Sequence, residues 1–180
     1  MTDFRLASVP PATGPLPVTR GAMTLSLADP GPLWSVAPHR GEAAAVSRAL
    51  QEAIGVSLPG PGRRHAAGGA SVQWFGRNLW LVAGVAPPDL PGAAVTDQGD
   101  GWVTFDLAGP EGADVMARLI PVDTRPAAMP DQAAIRTELH GMMVAVARTA
   151  PDTLRIMGFR SMASTLTRTI TEAMERVAAI

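Results

Sequence analysis

Three residue types with versatile chemistry are missing from this chain. Cysteine is absent, which excludes disulfide bonds, thiolate metal sites and a cysteine nucleophile. Lysine and tyrosine are absent too, so all 15 basic residues are arginine. A Schiff base, a P-loop lysine and a tyrosine acid are therefore excluded as well.

The length, apolar content and charge are those of a globular protein. A chain of 180 residues fits one domain or two small lobes that share a core, and an apolar share of 47% is ordinary. The formal net charge is −1. This balance gives no electrostatic reason to expect a nucleic acid or an anionic membrane as partner.

The N-terminal residues do not have the pattern of a signal peptide. Asp3 stands where a positive region is needed, and proline interrupts any apolar stretch. Elsewhere no run approaches the roughly 20 apolar residues of a membrane helix, so we expect a soluble, cytoplasmic protein.

Residues 1–20 are proline-rich and predict an extended N-terminal arm. The arm is either a solvated tail or a segment that lies along a partner, because its apolar residues exceed what a tail needs. These are Phe4, Leu6, Val9, Leu16 and Val18.

Residues 21–92 predict an N-terminal α+β lobe. The expected elements are strands at 23–27 and 33–37, a helix at 42–54, a loop at 57–69, and a hairpin of strands 71–75 and 79–82. Val46, Leu50, Ala53 and Ile54 would share one helix face, and Gly55 would end the helix. The breaker at 86–92 (APPDLPG) is the expected lobe boundary.

Residues 93–180 predict a C-terminal α+β lobe. A weak strand at 94–96 precedes an alternating strand at 102–107, and Gly109-Pro110 then opens a short helix. Strands at 134–139, 142–147 and 153–157 and a helix from about Ser161 complete the lobe. The short helix is expected to bury Val115, Met116, Leu119 and Ile120. The last helix is expected to bury Met162, Leu166, Ile170, Ala173 and Val177. The predicted fold class is α+β, with two similar lobes of antiparallel strands and helices packed on them.

The sequence contains few candidates for a metal-binding, anion-binding or catalytic site. His39, His65 and His140 lie far apart in predicted loops, without carboxylates at metal-ligand spacing. His65 follows Arg63-Arg64 and either joins an anion-binding patch or lies in a solvated loop. The segment GPGRRHAAGG lacks the ending of a P-loop, and no GxSxG elbow is present. We therefore assign no catalytic, cofactor-binding or metal-binding residue.

The carboxylates and tryptophans also favour structural roles. Asp97, Asp100, Asp106, Asp114 and Asp123 mostly flank predicted turns, where aspartate is favoured for backbone hydrogen bonds. Trp34, Trp74, Trp80 and Trp102 all fall on predicted strands. Strand tryptophans usually fill a core, although one or two could anchor a subunit interface.

An ordered set of residues in the second half carries a family resemblance. The set begins with Thr96-Asp97, continues with Leu107, Gly109 and Pro110, then Pro121-Val122-Asp123, Pro130 and Thr137, and ends with Arg160-Ser161-Met162-Ala163. In this order, over residues 93–178, the chain resembles the gamma subunit of bacterial heterotetrameric sarcosine oxidase. Val122 stands where that family often has leucine, and Met162 where an aromatic residue is common.

The resemblance implies a fold related to the folate-binding domain of the glycine-cleavage aminomethyltransferase. It also implies a place in a complex with alpha, beta and delta subunits, which demethylates sarcosine oxidatively to glycine. In such complexes FAD, FMN, NAD and tetrahydrofolate are held by the alpha and beta subunits and zinc by delta. The gamma subunit would then be a noncatalytic structural subunit.

Two other functions stay open. One is a stand-alone folate-binding protein or aminomethyltransferase-like one-carbon enzyme of the same fold. The related iron–sulfur-repair folate proteins carry a Lys-Gly-Cys signature, and this chain has neither lysine nor cysteine. The other is a homo-oligomer without such a complex.

Overall fold

The computed structural model describes Val9, Pro11 and residues 14–180, and the remainder of the expected arm lies outside the described residues. The strands are β1 Val18–Arg20, β2 Met23–Leu27, β3 Leu33–Pro38, β4 Arg64–Ala67, β5 Ala70–Gly76, β6 Leu79–Ala83, β7 Ala93–Asp97, β8 Trp102–Ala108, β9 Ala134–Leu139, β10 Met142–Ala150 and β11 Thr153–Phe159. The helices are α1 Ala43–Ile54, α2 Gly112–Met116 and α3 Ala163–Ala178, with a 3₁₀ turn at Arg160–Met162 before α3.

The strands form two antiparallel sheets. Sheet I has the order β1-β2-β8-β11-β10-β9, and sheet II has the order β4-β5-β6-β3-β7. Together with the three helices they give an α+β fold, as the sequence predicts.

The sheets do not divide the chain at residue 92. Leu27 on β2 pairs with Phe105 on β8, so an early strand belongs to the sheet of the second half. Conversely, Val95 on β7 pairs with Val36 on β3, so a later strand completes the sheet of the first half. The strand order therefore does not follow the expected lobe boundary.

Three apolar clusters lie between the layers of helices and sheets, and their members show how the layers are stacked. Helix α1 covers one face of sheet II, where Val46 and Leu50 pack with Val36, Val72 and Val82. Helices α2 and α3 cover one face of sheet I. This cluster includes Phe105, Leu107, Val115, Met116, Ile156, Leu166 and Ile170. The inner faces of the two sheets meet through Leu33, Phe75, Leu81, Ala145 and Met157. The layer order is thus α1, sheet II, sheet I, and then α2 with α3.

Most predicted elements are confirmed, and five details differ. Helix α2 ends at Met116, so the buried Leu119 and Ile120 follow the helix instead of lying on it. Ala53 is exposed, so it does not share the buried face of α1. Residues 64–67 form β4 instead of continuing the predicted loop, because they pair with β5. Part of the predicted arm forms β1, which pairs with β2. Met162 lies in the 3₁₀ turn and is 41% exposed, so it does not belong to the inner face of the last helix.

Within residues 14–180 and the two described residues before them, no helix combines the length and apolarity that crossing a membrane requires.

Candidate functional site

The three histidines belong to different parts of the fold: His39 follows β3, His65 lies on β4 instead of in a loop, and His140 lies in the turn between β9 and β10. His65 is on β4 with its Nδ1 atom 3.4 Å from Ser57 Oγ, and His140 takes a left-handed turn conformation with φ 47°. Among the described residues, no group of three or more histidine, aspartate and glutamate side chains is placed to hold a metal ion.

Asp97, Asp106 and Asp123, three of the five clustered aspartates, accept hydrogen bonds from neighbouring residues. The Asp97 carboxylate accepts the backbone N–H of Gly99 at 2.8 Å, which closes the turn after β7. Asp123 accepts the backbone N–H of Arg125 at 2.9 Å and also binds its guanidinium. These hydrogen bonds lower the pKa of Asp123 to about 2, so the group is a stable carboxylate at neutral pH.

Arg148 holds together the long segment that links α2 to β9. Its side chain on β10 is buried, at 4% exposure. It donates hydrogen bonds to the carbonyl oxygens of Thr124 (2.5 Å), Met129 (2.7 Å) and Pro151 (2.5 Å). Nothing in the sequence pattern marks this arginine, because it ends a run that otherwise predicts an ordinary buried strand.

A second polar cluster lies on the inner face of sheet I. Arg155 on β11 forms a two-point ion pair with Asp106 on the neighbouring β8, with N–O distances of 2.8 and 2.8 Å. This bonding raises the pKa of Arg155. Nearby, Arg64 on β4 donates to Gln132 Oε1 at 2.7 Å, and burial followed by repulsion from Arg155 lowers the pKa of Arg64. The Asp106 carboxylate is thus held as an ion-pair partner.

Aromatic rings form a continuous column between the sheets. The Arg136 guanidinium on β9 lies 4.1 Å from the ring centroid of Phe75 on β5. Phe75 meets Trp102 edge-on at 5.1 Å, and Trp102 stacks on Phe159 at 4.8 Å. Burial lowers the pKa of Arg136. Of the four predicted strand tryptophans, Trp102 is the one whose ring joins this column.

The outer part of this column is exposed at one end of sheet I. Phe159 pairs with Trp102 across β11 and β8, and the register of β10 places Met143 beside Phe159. Phe159 is 45% exposed and Met143 is 43% exposed. We call Trp102, Phe159 and Met143 the aromatic end.

A cleft of about 490 Å³ adjoins the aromatic end at Trp102. Leu27, Pro30, Val9 and Arg160 also line it. Thr104 lies at its base, only 2% exposed, and its hydroxyl has no hydrogen-bond partner within the described part of the chain. The cleft has both polar and apolar lining residues, and with the aromatic end it forms a surface of the kind that binds partners or ligands.

Four of the residues that carry the family resemblance shape the backbone or fill the core. Gly109 has φ 132°, and a Cβ atom there would lie 2.5 Å from the carbonyl oxygen of Ala22. Asp97 and Asp123 close turns, as described above, and Leu107 is fully buried in the core. These four markers thus contribute to turns, to a close backbone approach and to the core of the fold.

Comparisons with known proteins agree with the fold. No family profile and no curated protein matches this sequence. Among solved structures, the chain is similar to a chain of the heterotetrameric sarcosine oxidase from Corynebacterium sp. U-96, solved in complex with pyrrole 2-carboxylate. The TM-score is 0.78 at 24% sequence identity, and the match covers 91% of this chain and 89% of that chain. The protein thus has the α+β fold of a chain of heterotetrameric sarcosine oxidase.

Proposed function

We propose that this chain is the gamma subunit of a heterotetrameric sarcosine oxidase complex, where it acts as a noncatalytic structural subunit. The observation that carries the proposal is the shared fold, which extends over nine-tenths of this chain and of its structural counterpart. The proposal extends the role of the matched chain to this one by analogy of fold, over nearly the whole length of both chains.

The chemistry of the described residues supports a structural role. Asp106 and Asp123 are engaged by arginines, and the buried Arg148 binds only backbone carbonyl oxygens among its recorded partners. The resemblance to the gamma subunit implies that FAD, FMN, NAD, tetrahydrofolate and zinc are held by the alpha, beta and delta subunits. The complex would oxidise sarcosine to glycine in the cytoplasm, and this chain would support its assembly.

Co-expression tests the proposal. The chain carries an affinity tag and is produced with the polypeptides encoded beside its gene. We expect it to retain the other subunits through gel filtration, with flavin absorbance in the same peak and sarcosine-dependent production of hydrogen peroxide. Recovery of the tagged chain without any flavoprotein would contradict the proposal.

Calorimetry of the isolated chain with tetrahydrofolate separates this proposal from a stand-alone folate binder. We expect no heat of binding from the isolated chain. Micromolar affinity would favour the one-carbon enzyme or folate-binding protein instead.

A further inference from the structure

We propose that another subunit of the complex docks on the aromatic end, with a carboxylate facing the cleft and a cation facing β9. This inference rests on the proposed function, because that function supplies the partner. It adds which surface is used and what chemistry the partner presents there.

The exposed apolar side chains of the described residues are gathered in one region. Six large hydrophobic residues are at least 40% exposed, and they are Val9, Leu27, Met143, Phe159, Met162 and Ile180. Val9 and Leu27 line the cleft, Met143 and Phe159 belong to the aromatic end, and Met162 follows Phe159 in the adjoining 3₁₀ turn. Ile180, the last residue of the sequence, neither lines the cleft nor belongs to the aromatic end. Clustered exposure of aromatic and methionine side chains marks interaction surfaces, whereas scattered exposure is ordinary.

The aromatic end is rigid enough to act as an anchor. Trp102 is held from one side by the Phe75 edge and from the other by the stacked Phe159 ring. Its indole Nε1 also donates to Gln98 Oε1 at 3.3 Å. A partner that covers Phe159 therefore buries apolar area without first having to order these rings, which favours tight binding.

Groups of opposite charge lie at the two sides of the aromatic end, so a partner with complementary charges can bind in one orientation only. Across the strands the order is Glu138 on β9, Met143 on β10, Phe159 on β11 and Trp102 on β8. Arg160 directly follows Phe159, its backbone N–H donates to the carbonyl oxygen of Gly101 at 2.9 Å, and its residue lines the cleft. Neighbouring strands are about 4.8 Å apart, so the four strands span about 14 Å. The surface therefore runs from a carboxylate through apolar side chains to a guanidinium.

Neither charged group at these two sides is neutralised within the described part of the chain. The ion pairs there join Arg20 to Glu175, Arg125 to Asp123 and Arg155 to Asp106. Arg160 donates to the carbonyl oxygen of Val9, which carries no charge.

Two other charged groups lie near this surface. Asp29 also lines the cleft, and its carboxylate accepts the backbone N–H of Gly31 at 2.8 Å. Arg136 shares the face of Glu138, but its guanidinium lies over the Phe75 ring. The complementary partner therefore presents a carboxylate to Arg160, an apolar side chain to Phe159 and a cation to Glu138.

Binding measurements with variants test this surface. The tagged chain is titrated against the remaining subunits, purified together as one complex, and the dissociation constant is measured by calorimetry. Phe159→Asp and Met143→Asp each place a charge at the centre of the proposed contact. We expect each to weaken binding by about 30-fold or more, as loss of a central anchor does. Arg160→Glu and Glu138→Arg are expected to weaken binding about three- to tenfold, with the effect shrinking at high salt.

Matched controls make the same chemical changes elsewhere. Ile180→Asp converts another exposed apolar residue to aspartate, and Arg48→Glu reverses an exposed arginine on α1. Both are expected to bind within about twofold of the unchanged chain. Circular dichroism and thermal unfolding of each isolated variant check that it folds, and Met143→Asp leaves the Trp102–Phe159 stack in place.

The outcomes separate the two proposals. If the unchanged chain binds the other subunits and Phe159→Asp and Met143→Asp bind equally well, the docking surface is wrong and the proposed function stands. If the unchanged chain binds none of them, the proposed function fails. Sedimentation supplies the remaining outcome: a dimer of the isolated chain that Met143→Asp converts to monomer would make the aromatic end a contact between copies of this chain and overturn the inference.

Discussion

The buried guanidinium of Arg148 donates a 2.5 Å hydrogen bond to the carbonyl oxygen of Thr124, which fixes a segment without helix or strand against sheet I. Met129 and Pro151 offer two further carbonyl oxygens to the same side chain. Removing the side chain would leave the buried carbonyl oxygens of Thr124 and Met129 without this donor, at about 1–3 kcal/mol for each unsatisfied group.

We therefore predict that Arg148→Met lowers the free energy of unfolding by about 3 kcal/mol or more, measured by urea denaturation. Arg48→Met is the matched control, because Arg48 is exposed on α1 and should change stability by less than about 0.5 kcal/mol. Equal, small effects of the two substitutions would show that the carbonyl contacts contribute little.

The ion pair between Asp106 and Arg155 predicts a measurable coupling energy. Both side chains are about three-quarters buried, with 24% and 27% of their surfaces exposed, and they bond at two points. A double-mutant cycle with Asp106→Asn and Arg155→Gln should give a coupling of about 1–2 kcal/mol. The same cycle on the more exposed Arg20–Glu175 pair should give about 0.5 kcal/mol or less. A coupling no larger than that of the exposed pair would contradict this prediction.

The carboxylate of Asp123 predicts a contribution to stability that depends on pH. Its pKa is lowered to about 2 by hydrogen bonds from Arg125, whereas an unfolded chain has a value of about 3.9. Because the folded value is the lower one, the contribution is present above about pH 4 and is lost as the pH falls toward 2. A carbon NMR titration of the Asp123 carboxyl group should show the lowered midpoint, and Arg125→Gln should return it toward the ordinary value. A midpoint that Arg125→Gln leaves unmoved would show that the shift has another origin.

Gly109 is predicted to be irreplaceable by alanine. It combines φ 132° with a Cβ position 2.5 Å from Ala22 O and 2.9 Å from Met23 Cα, both backbone atoms. Gly109→Ala should cost about 3 kcal/mol or more, since β2 and the turn after β8 would have to separate. Gly60→Ala serves as the control, because a Cβ there has nothing within 4 Å and the backbone is not left-handed. Thermal unfolding of both variants provides the comparison, and similar melting temperatures would refute the steric explanation.

Local patterns in the sequence were sufficient for most of the individual elements. The alternation of residues 23–27 and 134–139 predicts β2 and β9 with the bounds that the structure has. Strand β4 was not predicted, because Arg64 and His65 lie in a segment rich in turn residues and become a strand only by pairing with β5. Pairing of that kind depends on residues distant in sequence, which a local pattern does not contain.

The same limit applies to the candidate site. Tryptophan on a strand suggested an interface anchor, and Trp102 does lie at the aromatic end. However, the aromatic column joins residues from four strands, and its exposure depends on how far sheet II covers sheet I. Arg148 has no signal at all in the sequence, because its three acceptors come from separate turns and loops.

Strand β2 belongs to the sheet of the second half and β7 to the sheet of the first half, and this arrangement affects how the protein folds during translation. When the first 92 residues have emerged, β2 still lacks its neighbour β8, and the open side of β3 still awaits β7. Until Ala108 has been translated, the nascent chain therefore has strands whose backbone N–H and C=O groups lack their partner strands. All strands of sheet I are present only once Phe159 has been translated. We expect a truncated chain that ends at Gly92 to be digested rapidly by protease under conditions in which the full chain resists, since neither half of the sequence contains a finished sheet.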